Sequence, residues 1–295
     1  MKHRIEYLAV RAVAALVKRV SMARVRAWGA ALGRAAYHVD RRHRRVAIEN
    51  LTAAFPGRSA DEREAIARRV FEHFGSVMLE LLKAATMTPQ ELLALCETEG
   101  DEHCWRALEP GKGVLCFTGH FGYWEVQAIA SAAKFMPFSV LARRLDNPHL
   151  HTMLESIRTM TGNQVIYRHG AIRKILRELA MNRGVAMLID QHLQRDAIVV
   201  NFFNRPAATT SALAVLALRT GAAVLPVFAL PLPGGRYRLI YERPVPPPRE
   251  DSPDAVREFT QRCTDVLEMY VRRHPELWLW LHRRWRDDED RRRRA

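Results

Sequence analysis

A histidine and a glutamate stand close together in Gly119-His120-Phe121-Gly122-Tyr123-Trp124-Glu125, just after the apolar run Val114-Leu115-Cys116-Phe117. Imidazole accepts a proton near neutral pH, and a carboxylate that fixes its tautomer makes it a usable general base. His120 with Glu125 is therefore the first candidate pair. The two glycines let the chain turn sharply out of a strand. A helix is expected to start directly after, so the pair sits where developing negative charge is welcome. Catalysis competes with a plain structural or surface role for such a pair, and the strand-end setting favours catalysis.

Other chemistries lack their motifs. There is no Gly-x-Ser-x-Gly nucleophile elbow. There is no phosphate loop, no Gly-x-Gly-x-x-Gly and no His-Glu-x-x-His. Cys96, Cys104, Cys116 and Cys263 form no Cys-x-x-Cys pair, so neither a disulfide framework nor a zinc site is expected. A His base without a protein nucleophile suggests direct attack by a substrate hydroxyl on an activated acyl group. That reaction needs no metal and no cofactor.

Three further clusters carry polar groups at expected strand ends. Arg143-Arg144-Leu145-Asp146-Asn147-Pro148 offers a guanidinium fork for a phosphate, or simply a solvated turn. Asp190-Gln191-His192 follows the apolar run Val185 to Ile189, and the carboxyl ends of parallel strands line ligand crevices. In Asn201 to Thr210, Thr209 or Thr210 could equally cap the next helix. Trp278-Leu279-Trp280-Leu281-His282-Arg283-Arg284-Trp285 interleaves Trp with Arg, which suits a membrane interface, stacking on nucleic-acid bases, or an anchor for the C-terminus.

The elements that must position these residues fall into two parts. Residues 1–108 read as a helical, membrane-associating region, and residues 109–295 as the catalytic region, the two forming one unit. In residues 1–60 there are 13 Lys and Arg against only Glu6, Asp40 and Glu49, and the chain ends in Arg291-Arg292-Arg293-Arg294. A net charge of +14 on 295 residues implies an anionic partner: nucleic acid, a membrane surface, or an acidic substrate or carrier. Residues 1–37 form basic, apolar helices that either lie in a membrane interface or pack on the domain with their arginines reaching solvent. The apolar stretch Ile5 to Val17, interrupted by Arg11, is too short and charged for an ordinary span. After residue 108, strands are expected at 113–118, 138–142, 164–167, 185–189, 198–203, 223–230 and 236–242. Helices are expected at 123–134, 148–161, 170–182, 209–220 and 254–273. Such alternation predicts an α/β fold with a mostly parallel central sheet flanked by helices. Pro244 to Pro248 reads as a linker before the last helix.

These blocks together resemble the bacterial lipid A biosynthesis acyltransferase family, the late lauroyl and myristoyl transferases. The likeness runs over nearly the whole chain. It covers Arg44 to Leu51 with Phe55-Pro56, the 119–125 block, Arg143 with Asn147-Pro148, Asp190-Gln191, Phe202-Phe203 to Thr209, and Trp278 to Trp285. The resemblance implies a glycerolipid-acyltransferase-like fold and transfer of a fatty acyl chain to a hydroxyl of a lipid A precursor. The donor would be an acyl thioester, acyl carrier protein or acyl-CoA. The place would be the cytoplasmic face of the inner membrane, with peripheral or monotopic attachment. His120 would take the hydroxyl proton, and Glu125 would orient and stabilise the imidazolium. Arg143, Asn147, Asp190, Gln191, Thr209 and Arg283 would bind substrate or scaffold the site. Related mannoside acyltransferases, which use acyl-CoA, share the 119–125 block and supply an alternative acceptor. Tyr123 stands where Asn is common, and Arg144 where Pro is common, so the acceptor is the open question. A basic nucleic-acid-binding protein explains the charge and the Trp/Arg tail but not the His-Glu block.

Overall fold

The computed structural model describes residues 1–167, 170–193, 197–248 and 250–285. The basic run Arg291 to Arg294 lies outside them.

Four helices open the chain: α1 (Lys2–Val17), α2 (Met22–Val39), α3 (Arg41–Ala54) and α4 (Ala60–Ala84). Local chemistry sets their starts. Asp40 accepts the His43 N–H at the head of α3, and Ser59 and Glu62 form a reciprocal capping box on α4. Helices α2 and α4 cross at backbone contact. A Cβ on Gly33 would come within 2.1 Å of the Phe71 carbonyl oxygen, so only glycine permits this approach. Among the described residues no helix is long and apolar enough to cross a membrane.

The sheet follows. Its elements are α5 (Pro89–Leu93), β1 (Cys96–Glu99), α6 (Asp101–Leu108), β2 (Val114–Thr118), α7 (Trp124–Lys134), β3 (Phe138–Ala142), α8 (Pro148–Thr159), β4 (Gln164–Tyr167), α9 (Ala171–Ala180) and β5 (Gly184–Leu188). Then come β6 (Ala197–Phe202), β7 (Arg205–Thr210), α10 (Ala212–Thr220), β8 (Ala223–Leu232), β9 (Arg236–Tyr241) and α11 (Pro253–Arg273). Seven strands lie in the order β1-β9-β8-β2-β5-β3-β4. All neighbours are parallel except β8 and β9, which form an antiparallel pair. The expected mostly parallel α/β fold is therefore the observed one.

Strand β2 is central and fully buried along its length. Buried strands in parallel sheets read as continuous apolar runs, and Val-Leu-Cys-Phe does. Leu115, Phe117, Val185 and Met187 face one core, shared with α4, α10 and α11. Val114, Cys116, Phe138 and Val227 face the other, shared with α6 and α7.

Four expectations need correction. Residues 96–99, inside the stretch expected to be helical, form β1 and pair with β9, so the boundary at 108 leaves one sheet strand on its N-terminal side. The strand expected at 198–203 is β6, but it lies outside the main sheet in an antiparallel hairpin with β7. Helix α10 starts at Ala212 rather than 209, because residues up to Thr210 belong to β7, which follows β6 through a turn at Phe203 and Asn204 in the left-handed region. Within the Pro-rich linker, Val245 pairs with Val224 at the sheet.

Candidate active site

Parallel register builds the site. In β2 and β5, Thr118 lies opposite Leu188. Two residues beyond each strand come His120 and Asp190, so a pairing that spans 70 positions of sequence follows from strand adjacency alone. The His120 backbone N–H donates to Asp190 Oδ2 at 2.7 Å, and His120 Nδ1–H donates to Asp190 Oδ1 at 2.8 Å. Trp278 Nε1–H donates to Oδ2 at 2.8 Å. With Nδ1 carrying the proton, Nε2 keeps its lone pair, and Gln191 Nε2 stands 3.3 Å from it. Trp124 meets the imidazole edge-on, with ring centroids 5.5 Å apart.

The turn that presents His120 is tightly held. Gly122 has φ +56°, and a Cβ there would fall 1.9 Å from the Ala229 carbonyl oxygen. Gly122 N–H donates to Leu277 O, and Tyr123 N–H donates to Ala229 O. His73 is buried and neutral, burial pushing its pKa down to about 3, so its Nε2–H donates to Gly122 O at 3.2 Å.

Electrostatics match the geometry. Burial works against charge on Asp190, yet the His120 charge and the hydrogen bonds from His120 outweigh it and hold the carboxyl well below the usual range. Burial lowers His120, but the Asp190 charge and hydrogen bond, with a further contribution from Glu125, raise it above its ordinary value. The pair is thus a carboxylate that stays ionised and an imidazole biased toward accepting a proton.

Glu125 does not partner His120. It lies in the first turn of α7 and makes a two-pronged ion pair with Arg158 of α8, Arg158 Nε donating to Oε2 at 2.9 Å and Nη2 to Oε1. Nearness in sequence misassigned the orienting carboxylate, because the helix start rotates Glu125 away from Nδ1. Glu125 and Arg158 instead line an apolar cavity with Thr118, Trp124, Phe138, Leu141, Leu188 and Tyr241. The cavity has a volume of about 70 Å³ and opens to solvent. Small side chains make the room: Cys116, Ala128, Ser131 and Ala186 stand where larger residues would fill it.

The remaining expected residues are placed differently. Asp190 is fully buried and holds the His120 ring. Gln191 is exposed beside His120 Nε2. Arg143 is exposed. Asn147 is buried: it caps α8 by accepting from His149 and Leu150 N–H, and its amide donates to His3 O and Glu6 Oε2 of α1, so it is a brace between helices. Thr209 is buried in β7 and accepts from Arg284, while Arg283 is half-buried. Arg284, rather than the expected Arg283, is the buried arginine of the tail. It donates to Ala208 O at 2.7 Å and to Thr209 Oγ1, and burial pushes it down to about 10 against the opposing charge of Asp190. Asn50 donates to Trp280 O and His282 O, which ties α3 to the same tail. Arg158 carries no sequence signal of its own, since only α8 packing beside α7 brings it to Glu125. Trp278 was visible as a motif, but not as a hydrogen-bond donor to the site.

Fold and site define a class: an α/β domain with a His–Asp pair at adjacent strand ends beside an apolar cavity. The chain belongs to the bacterial lipid A biosynthesis acyltransferase family, whose model matches residues 2–287. Its curated relatives are named acyltransferases. A phosphatidylinositol mannoside acyltransferase of Mycolicibacterium smegmatis is 28% identical over 66% of this chain and 64% of that one. The lipid A biosynthesis myristoyltransferase of Escherichia coli is 25% identical over 85% and 78%, and the lauroyltransferase of the same organism 26% identical over 88% and 84%. The chain thus spans just under two thirds of the mannoside enzyme and about four fifths of the lipid A enzymes. A solved structure, the 1-acyl-sn-glycerophosphate acyltransferase of Thermotoga maritima, aligns over 90% of this chain and 97% of that one at 12% identity and a TM-score of 0.38.

Proposed function

We propose that this protein is an O-acyltransferase that moves a fatty acyl chain from a thioester donor to a hydroxyl of a lipid A precursor. The observation that carries the reading is His120 Nε2, left unprotonated by the Nδ1–Asp190 bond, beside an apolar cavity. The acceptor hydroxyl gives its proton to His120 Nε2 as its oxygen attacks the thioester carbonyl. Asp190 stabilises the imidazolium that forms. Gln191 Nε2, next to the reacting nitrogen, is placed to donate to the carbonyl oxygen as it gains charge. Collapse breaks the C–S bond, and the imidazolium returns its proton to the leaving thiolate. The cavity takes the hydrocarbon. Acyl carrier protein is the proposed donor, because a net charge of +14 favours an acidic carrier.

His120→Ala is expected to slow transfer from acyl carrier protein thioester to a lipid A precursor by about 10²- to 10⁴-fold, the usual contribution of a positioned base. Product mass spectrometry gives the rate, and wild-type activity in the variant would overturn the mechanism. One observation favours a second acceptor: the mannoside acyltransferase aligns at 28% identity, the lipid A relatives above at 25 and 26%. A phosphatidylinositol mannoside offered beside the lipid A precursor, with coenzyme A and carrier-protein donors in parallel, decides between them.

We place the site at a membrane surface, at the cytoplasmic face where thioester donors are made. Ile5, Leu8 and Leu16 of α1 and Leu32 of α2 are more than half exposed, beside Arg4, Arg11, Lys18 and Arg19. Apolar side chains edged by cations suit an interfacial helix. Replacing Ile5 and Leu8 together by Glu should weaken co-sedimentation with anionic phospholipid vesicles by roughly tenfold or more. Unchanged binding would remove α1 from the interface.

A further inference from the structure

The tail from Trp278 to Trp285 does more than close the chain. Its three tryptophans are all buried, so none is presented to a membrane or to a nucleic-acid base. Residues 277–279 run antiparallel to the turn that carries His120. Gly122 N–H donates to Leu277 O at 2.9 Å, Leu279 N–H donates to His120 O at 3.0 Å, and Phe121 stands opposite Trp278. That pairing holds the His120 backbone and brings Trp278 Nε1 to Asp190. The three indole N–H groups are directed differently. Trp280 donates to Pro275 O at 2.7 Å and Trp285 to Phe202 O at 3.3 Å, both neutral backbone acceptors. Trp278 donates to Asp190 Oδ2 at 2.8 Å, part of an ionised group whose other oxygen holds His120 Nδ1.

Asp190 Oδ2 thus takes two donors, the His120 backbone N–H and the Trp278 indole, and Oδ1 is left to the imidazole. Two donors on one oxygen fix the plane of the carboxylate, so that Oδ1 faces Nδ1. A donor to a carboxylate also stabilises its charged form and makes it a weaker base. We propose that Trp278 is a positioning residue of the transfer reaction, acting through Asp190: it orients the carboxylate toward His120 and moderates its pull on the proton at Nδ1. The inference rests on the reading of His120 as the base. Trp278 is wholly buried and meets no substrate, so its effect falls on turnover rather than on substrate binding. The other charged and titratable groups facing the pair are Glu125 of α7, Arg158 of α8, and His282 and Arg284 of the tail. All of them stay in place when only the indole N–H is removed.

Trp278→Phe keeps an aromatic ring and removes the donor. The carboxylate is then less stabilised and more basic, so His120 keeps its added proton to higher pH. The acid limb of the pH–rate profile is expected to move to higher pH. At the pH optimum kcat is expected to fall roughly tenfold or more with KM unchanged. Trp280→Phe is the packing control: it removes an indole bonded to a backbone carbonyl, so its Tm should fall while the acid limb stays in place. An acid limb unmoved in Trp278→Phe, or moved equally in Trp280→Phe, would reduce the tail to an anchor and overturn the proposal. An NMR titration of His120 in the full chain without substrate, its signal assigned by its loss in His120→Ala, reads the same coupling independently of activity. Its pKa should rise in Trp278→Phe. Such a rise in a protein that transfers no acyl group would overturn the function proposed above and leave Trp278 as the residue that positions the pair. If Trp278→Phe does not fold, the wild-type protein decides. The Trp278 indole N–H signal should shift with the His120 midpoint while those of Trp280 and Trp285 stay in place, and a Trp278 signal that does not follow His120 would overturn the proposal.

Discussion

Two buried carboxylates grip the 119–123 turn from opposite sides, and their surroundings send them opposite ways. Asp190 holds His120, whose other nitrogen faces Gln191 and the site. Glu80, on α4, lies in a closed cluster. Arg26 Nε donates to it at 2.7 Å, Tyr123 OH at 3.1 Å, and Tyr237 OH also donates to it. Burial raises Glu80 above the usual carboxylate range despite these donors, whereas Asp190 is pulled below it. Arg26 also reaches Leu232 O and Arg236 O, and its charge is kept by Glu80 against burial. The contrast is one of purpose. A carboxylate paired with an imidazole makes a site whose charge can change during a reaction, whereas one paired with an arginine makes a fixed brace. The same short turn needs both: Asp190 sets the tautomer at one end, and Glu80 fixes Tyr123 at the other.

Asp190→Asn should break this comparison most sharply. An amide keeps the shape but no longer favours the imidazolium, so transfer is expected to fall by about 10²- to 10³-fold. His120 is raised by Asp190 once burial is overcome, so its pKa should drop in the variant, and the acid limb of the pH–rate profile should move to lower pH. Stability has a matching signature. A lowered carboxyl contributes above its unfolded pKa, near 3.9, and loses that contribution as pH falls through its folded value. A raised histidine contributes below its unfolded pKa, near 6.5, and loses it as pH rises through its folded value. The difference in stability between wild type and Asp190→Asn is therefore expected to peak between about pH 4 and 6.5. A difference that stayed the same on acidification below about pH 4 and on raising the pH above about 6.5 would mean that the pair is not ionised as described.

The register of the sheet explains which parts of this were legible in sequence. Strands and helices after residue 108 followed from periodicity, and β3 and β4 have the expected bounds, because burial on a parallel sheet imposes apolar runs. His120 was legible because a polar block after such a run lands at a strand end. Asp190 was picked out for the same reason, but its partnership was not, because which strands become neighbours is not written locally. Once β2 and β5 are adjacent, residues 120 and 190 must meet. Glu125 was the natural but wrong partner, since proximity in sequence was the only distance available. Arg158 and the Glu80 cluster were invisible, and so were the partners of Arg284 in the Trp/Arg block, because those partners lie tens to more than a hundred residues away. The hairpin β6–β7 was half seen, because its second strand, Arg-Pro-Ala-Ala-Thr-Thr, has none of the bulky apolar residues that usually mark a strand.

Glu80→Gln sharpens the comparison from the other side. Gln keeps the volume and can still accept from Tyr237 and Tyr123, but the charge opposite Arg26 is gone. Arg26 retains its two carbonyl acceptors, so it is weakened rather than orphaned. Loss of a charge-assisted hydrogen bond of this kind costs about 1.5–3 kcal/mol, which should appear as a lower Tm and a lower denaturation midpoint. Measured below the melting transition, the pH–rate profile should keep its acid limb in place, because Glu80 pairs with Arg26 and the tyrosines while the charges acting on His120 are Asp190, Glu125 and Arg158. Any loss of rate should be smaller than in Asp190→Asn, transmitted only through the position of Tyr123 and the turn. If Glu80→Gln moved the acid limb as Asp190→Asn does, the two carboxylates would form one electrostatic unit, and the division into a reacting site and a fixed brace would fail.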